Sequence, residues 1–159
     1  MAISIRPVTT KQALKKFIHL PAKIHKGHSN WIPPLYGDEW VFFSKKKNKS
    51  FLHCDTVLYL AYREEELVGR IMGIVHRDYN RDKHENNARF NFLEAWDDRE
   101  VIEALIGAVA EWAREKGSEK LVGPLAFSDK DPQGYLVEGY DEPVVIASHC
   151  NFKYITEHL

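Results

Sequence analysis

This 159-residue chain has few cysteines, almost no net charge and no long apolar run. Its two cysteines fit a reducing compartment, so we expect a cytoplasmic protein. The 22 Lys and Arg residues nearly balance the 23 Asp and Glu residues, which removes the basic excess typical of proteins that bind nucleic acid or membrane surfaces. No apolar stretch approaches the roughly 20 residues of a membrane-spanning helix, and the N-terminus lacks a signal-peptide pattern. We therefore expect neither a nucleic-acid nor a membrane partner.

The length and composition favour one globular domain covering residues 1–159. A chain of this size buries roughly two-thirds of the surface that its unfolded form exposes. It can therefore build a core without disulfides or a structural metal. With 44% hydrophobic residues, the composition agrees with this interpretation.

Periodicity predicts strands over residues 3–8, 56–63, 67–75, 88–95 and 121–127. The polar segment 76–87 is expected to be an exposed loop. A helix is predicted after a capping box formed by Thr9 and Gln12, with a kink or interruption at Pro21. A second capping box, Asp97 with Glu100, opens a long amphipathic helix that ends near Gly117. Residues 152–159 are expected to begin a further helix. The pattern indicates an α/β (α+β) fold: a mixed, mostly antiparallel sheet, with a long helix before a parallel crossover strand.

This order of elements resembles the GNAT superfamily of acyl-CoA N-acyltransferases. Four segments resemble more closely the N-terminal region of a group of poorly characterised bacterial GNAT-like proteins: Ile5-Arg6-Pro7-Val8, Asn30-Trp31-Ile32-Pro33-Pro34-Leu35, Val68-Gly69-Arg70-Ile71 and Gly123-Pro124-Leu125-Ala126-Phe127-Ser128. The resemblance implies a further helix and two strands after the crossover strand, for which the residues beyond Phe127 are too few. We therefore expect closing strands that are missing from a C-terminally truncated domain or supplied by another chain. An unpaired sheet edge there favours a homodimer.

The resemblance also implies the site. It makes Glu94, at the end of the fourth strand, the candidate general base, and Tyr154 the candidate acid for the leaving thiolate. It places contacts with acetyl-CoA or another acyl-CoA at Leu93, Ala95 and Arg99. A small-molecule amine would be the acceptor, flanked by the aromatic residues of segment 31–43. The alternatives are a solvated carboxylate, a packing tyrosine and aromatic core residues.

The entry to the long helix departs from the family pattern. GNAT proteins carry Gln or Arg, two residues, Gly, one residue, and Gly or Ala there, so that backbone amides take the pyrophosphate. Residues 94–101 contain no glycine; they contain one arginine, Arg99, and four carboxylates, Glu94, Asp97, Asp98 and Glu100. Each carboxylate opposes a nearby phosphate charge by about 1 kcal/mol. Two hypotheses follow: an acyl-CoA-dependent N-acyltransferase, or a degenerate, non-catalytic GNAT-like domain that binds a ligand or protein as part of a larger protein.

Other clusters are weaker. The pairs His53-Cys54 and His149-Cys150 supply zinc-ligand types, but neighbouring residues on extended chain point in opposite directions, so we expect no metal site. His76, Asp78, Asp82 and His84 are expected to lie in a solvated loop. The basic run 45–49 is either a solvated turn or a contact for the adenosine phosphates of CoA.

Overall fold

The computed structural model describes residues 2–145 and 148–159, and its centre is a five-stranded sheet in the order β1-β2-β3-β4-β5. The strands are β1 (Ile3–Pro7), β2 (Cys54–Arg63), β3 (Glu66–His76), β4 (Asn87–Ala95) and β5 (Lys120–Val122). Neighbours from β1 to β4 pair antiparallel, whereas β5 pairs parallel with β4. The predicted mixed, mostly antiparallel sheet is confirmed.

Five α-helices and a short 3-10 helix (Lys49–Leu52) accompany this sheet in the described part of the chain. The α-helices are α1 (Lys11–Ile24), α2 (Tyr36–Phe42), α3 (Arg77–Lys83), α4 (Arg99–Glu115) and α5 (Lys153–His158). α4 is the long helix before the parallel strand, as predicted. Among residues 2–145 and 148–159, no helix has both the length and the apolar character needed to cross a membrane.

The helix caps lie one residue later than the sequence pattern predicted. The Thr10 hydroxyl accepts from the Ala13 amide at 3.1 Å, and the Asp98 carboxylate accepts from the Val101 amide at 3.3 Å. Both positions have extended backbone, which lets the side chain reach the free amides of the first turn. α1 continues through Pro21 to Ile24, so the helix is not interrupted there.

Two predictions of secondary structure were wrong, one in the type of element and the other in its length. Segment 76–87 contains α3, a short helix without a buried face whose start is capped by the His76 ring, which accepts from the Tyr79 amide. Because this helix is polar on all sides, its sequence has no apolar stripe of helical period from which it could be predicted. β5 has three residues rather than seven, because the chain turns after Val122 and binds β4 by isolated hydrogen bonds, such as Leu125 N to Phe90 O at 2.8 Å.

The core has a layer on each face of the sheet. Neighbouring β3 residues point to opposite faces, so Met72 packs with Phe17 of α1, while Ile71 packs with Leu105 of α4. Within the predicted aromatic segment, Phe43 is a core residue, 5.3 Å from the Phe17 ring. Glu94 lies on the α1 face, because it pairs with Arg70, which contacts Phe17 of α1, whereas Tyr154 packs against the core layer of the α4 face. The expected homodimer through a sheet edge stays a prediction.

Candidate active site

A bulge in β4 sets the position of Glu94. Arg70 of β3 pairs with Glu94, but Met72 pairs with Asn91, so β4 carries one residue more than β3 between these pairs. Phe92, within the bulge, has φ of 55°, the left-handed region that non-glycine residues rarely adopt. The bulge bends the strand and re-aims the side chains that follow it.

The Glu94 side chain lines a cleft of about 270 Å³. The cleft lies between α1, the bulge and the C-terminal segment, which comprises the described residues from Pro132 to Phe152. The Glu94 side chain is 18% exposed. One part of the cleft is apolar, with Trp31, Ile32, Leu35, Phe92 and Val145. The polar lining includes Glu39, Arg70, Glu94, His149 and Cys150. The predicted general base therefore lies where a small substrate can reach it.

His25, at the end of α1, holds the Glu94 carboxylate. His25 Nε2 lies 3.1 Å from Glu94 Oε2, and the His25 side chain is fully buried. Because an ionised carboxylate can only accept, Nε2 carries the proton in this contact. The rings of Trp31 and Phe152 stack on the imidazole at 5.2 and 4.8 Å, which fixes its orientation. Glu94 thus has one defined hydrogen-bond donor on its protein side.

A histidine and a cysteine adjoin this pair. His28 Nδ1 lies 2.9 Å from His25 Nδ1, and Cys150 Sγ lies 3.9 Å from the Asn30 carbonyl oxygen. Burial, reinforced by the charge of His25, lowers the pKa of His28. Burial, reinforced by Glu94, raises the pKa of the Cys150 thiol.

Arg70 places a buried cation on the same sheet face as Glu94, since directly opposed residues of antiparallel strands share a face. Its Nη1 donates to the Phe17 carbonyl at 2.7 Å, and its guanidinium lies over the Phe17 and Phe92 rings. Within residues 2–145 and 148–159 its Nε has no hydrogen-bond partner. Burial lowers the pKa of Arg70, while the charges of Glu94 and Glu39 oppose this shift. Arg70 could polarise a carbonyl in the cleft.

Among the described residues, the pairing of β4 with β5 ends before β4 reaches Glu94. Parallel pairing ends at Arg89 with Val122. Tyr154 of α5 lies beyond this point, and its hydroxyl donates to the Ala95 carbonyl at 2.7 Å. Burial, reinforced by Glu94 and Asp97, raises the pKa of Tyr154. Tyr154 is thus near the predicted base but engaged with backbone, and its role as an acid stays a prediction.

Each of the four carboxylates at the entry to α4 has a partner. Glu94 contacts His25, and Asp97 contacts His158 at 2.7 Å. Arg63 of β2 contacts Asp98 at 2.7 Å and Glu100 at 3.1 Å. The sequence offered Arg99 as the local cation, yet Arg99 pairs with Glu103 along the helix. Arg63 is therefore the cation that offsets the acidic entry.

The remaining predicted cofactor contacts differ in accessibility. Leu93 and Ala95 are buried, at 5% and 0% exposure, although Leu93 also lines the cleft. The Arg99 side chain is 70% exposed at the start of α4. Sequence analysis missed His25, Arg63 and Arg70 as site residues. Of these, only Arg70 left a signal, as a lone cation within the apolar run 67–75.

Comparisons with known proteins give the following relatives. No protein-family model matches the chain. It is 33% identical to "Bacterial ceramide synthase" of Caulobacter vibrioides over 145 residues, which are 91% of this chain and 38% of that protein. It is 30% identical to "Protein YghO" of Escherichia coli over 139 residues, 87% of this chain and 35% of that protein. The chain thus spans little more than a third of the length of these curated relatives.

Among solved structures, an AAC(6')-Iy complex with a CoA-S-monomethyl-acetylneamine bisubstrate analogue matches with a TM-score of 0.53 at 17% identity, over 79% of this chain and 81% of that one. A ribosomal-protein-alanine N-acetyltransferase from Brucella melitensis matches with a TM-score of 0.53 at 16% identity, over 82% and 84% of the two chains. These similarities confirm the predicted GNAT fold.

Proposed function

Because this chain has the GNAT fold and presents Glu94 in a cleft, we propose that it takes part in acyl transfer from an acyl-CoA to an amine. The observation that carries the proposal is the Glu94 carboxylate, fixed by His25 at the bulge and open to the cleft. Glu94 would accept the proton of the acceptor ammonium or amine. The amine nitrogen then forms the amide bond as the carbon–sulfur bond of the thioester breaks, and the CoA sulfur leaves as a thiol after taking a proton.

The buried Arg70 guanidinium supports this chemistry. The thioester oxygen gains negative charge as the amine attacks, and a desolvated cation stabilises such charge more strongly than one in water. Tyr154 remains the candidate proton donor to the sulfur. Its hydroxyl would have to leave the Ala95 carbonyl for that step.

The walls of the cleft support an apolar acceptor. Ile32, Leu35 and Val145 are 44, 65 and 68% exposed, and Trp31 and Phe92 continue this surface inside the cleft. Such a wall suits the hydrocarbon part of an amine, and the carboxylates of Asp38, Glu39 and Glu94 in the same lining suit its ammonium group. The name of the Caulobacter relative agrees, because a ceramide is the amide of a fatty acid with a long-chain amino alcohol. We propose a long-chain amine as the acceptor class.

A second candidate is a non-catalytic GNAT-like domain, and the capped entry of α4 favours it. The Asp98 carboxylate occupies the Val101 amide that a pyrophosphate would otherwise meet. Arg63 offsets the charges of Asp98 and Glu100 but leaves this amide taken. Any acyl-CoA would therefore rely on the edge of β4 beyond its pairing with β5, and on Arg63 and Arg99, more than on α4 amides.

Calorimetric titration with acetyl-CoA and a long-chain acyl-CoA separates the two candidates. The acyltransferase predicts micromolar binding by the parent, and amide formation with a long-chain amine that Glu94→Gln lowers by at least about a hundredfold in kcat. Glu111→Gln, on the exposed face of α4, is the matched control and should keep both properties.

No binding of either acyl-CoA by the folded parent would contradict the acyltransferase. In that case, binding gained by Asp98→Gly would show that the acidic cap blocks the cofactor. Binding without any dependence of the rate on Glu94 would contradict the assignment of the base.

A further inference from the structure

Three metal-ligating side chains meet beside the cleft. In the described residues, the donor atoms of His25, His28 and Cys150 all lie within 4.8 Å of one another. His25 ends α1 and His28 follows one turn later, whereas Cys150 arrives with the C-terminal segment. We propose that these three side chains bind a transition-metal ion, with Zn²⁺ the best match.

The types of ligand favour zinc over other metals. Two imidazoles with one thiolate form a set that suits zinc, and three protein ligands leave a fourth position for water or another ligand. Nitrogen ligands about 2.0–2.1 Å from a tetrahedral zinc lie roughly 3.3 Å apart. The Nδ1 atoms of His25 and His28 are 2.9 Å apart, so the rings need to separate by only a few tenths of an ångström.

The surroundings of His25 prepare it as a ligand. A carboxylate that accepts from the distal nitrogen of a metal-binding histidine fixes the tautomer and raises the basicity of the other nitrogen. Glu94 stands in this relation to His25, with Oε2 3.1 Å from Nε2, and leaves Nδ1 directed to His28. Phe152 stacks on both imidazoles, at 4.8 and 4.5 Å, so their planes are already set.

Such a site was not expected from the sequence, where the neighbour of Cys150 is His149. In the structure His149 Nε2 contacts the Pro132 carbonyl at 3.1 Å, and Cys150 meets the end of α1 instead. A bound ion would therefore tie the C-terminal segment to α1 across a sequence separation of more than 100 residues. The proposal is independent of acyl transfer, since it needs only these three ligands.

Cobalt(II) is the probe that tests it, because a cobalt–thiolate bond gives a near-ultraviolet charge-transfer band and tetrahedral cobalt absorbs strongly in the visible. We expect the purified protein to bind one Co²⁺ per chain with both features, and Zn²⁺ to displace it. Cys150→Ser should abolish the thiolate band. Cys54→Ser is the matched control, because Cys54 is a buried thiol outside the cluster, and should retain it.

Two further variants report on the histidine side. His28→Asn should weaken Co²⁺ binding by at least about tenfold, because it removes one ligand. Glu94→Gln should weaken it by about 10–100-fold, because Glu94 orients the His25 ligand. Circular dichroism establishes that each variant is folded. If Cys150→Ser does not fold, the Co²⁺ affinity of His28→Asn tests the proposal in its place.

The proposal is overturned if the parent shows no thiolate band, if the band survives Cys150→Ser or disappears with Cys54→Ser, or if folded His28→Asn binds Co²⁺ as the parent does. None of these readouts requires acyl-CoA. Loss of metal binding is therefore distinguishable from failure of the acyltransferase.

Discussion

Gly73 sets how closely α4 approaches the sheet, and Gly73→Ala should push the two apart. A Cβ atom at this position would lie 2.9 Å from Val109 Cγ1, 3.0 Å from Val57 Cγ1 and 3.1 Å from Trp112 Cε3. Carbon atoms pack best at about 3.5–4.0 Å. Both valines are stiff about χ1, so neither methyl can easily swing away. The added methyl must be accommodated by a shift of α4.

We expect this overpacking to cost about 1–3 kcal/mol of unfolding free energy. For a chain of this length, each kcal/mol lowers the melting temperature by about 2–4 °C, which gives a decrease of about 2–12 °C. Urea denaturation followed by circular dichroism measures the free energy directly. The shift should appear in the transition midpoint with an unchanged slope.

Gly107→Ala is the matched control, since the same methyl is added on α4 where no heavy atom lies within 4 Å. It should raise the unfolding free energy by about 0.5–1 kcal/mol, because alanine is the better helix former. In a Val109→Ala background, the penalty of Gly73→Ala should shrink, since the nearest methyl is gone. A Gly73→Ala protein as stable as the parent, or an undiminished penalty in that background, would refute the packing argument.

Three further predictions concern the site and its surroundings. Arg63→Gln should weaken acyl-CoA binding several-fold by calorimetry, because it exposes the acidic α4 entry, whereas Arg99→Gln should have a smaller effect; equal effects would contradict the role given to Arg63. Tyr154→Phe should lose about 1 kcal/mol of unfolding free energy with its hydrogen bond, whereas Tyr135→Phe should lose none, because the Tyr135 hydroxyl is buried without a partner among the described residues; the reverse order in urea denaturation would contradict this account. Burial raises the pKa of Cys54 from 9.0 to about 11, so at pH 8 its thiolate fraction should be about 100-fold smaller than that of an ordinary thiol. Alkylation of Cys54, followed by mass spectrometry of peptides, should accelerate as pH rises toward 11, and fast alkylation at pH 8 would show that the thiol is not shielded.

Local sequence patterns determined most of the framework. The order of strands, the long helix α4 and the parallel crossover strand follow from hydrophobic periodicity, because each pattern is contained within one element. The caps were displaced by one residue, at Thr10 and Asp98, because neighbouring hydroxyl and carboxylate residues compete for the same free amides. α3 was not predicted, because a helix with no buried face has no apolar pattern in its sequence.

The sequence also identified Glu94 at the end of β4, through the resemblance to GNAT proteins, but not its partners. His25 lies 69 positions earlier in the chain, and Arg63 comes to Asp98 from 35 positions away. No spacing rule connects residues so far apart. Their proximity is produced by strand register, the β4 bulge and the docking of α1 and of the C-terminal segment. Tertiary structure alone therefore decided which donor holds the carboxylate, which cation offsets the helix entry, and which histidines meet Cys150.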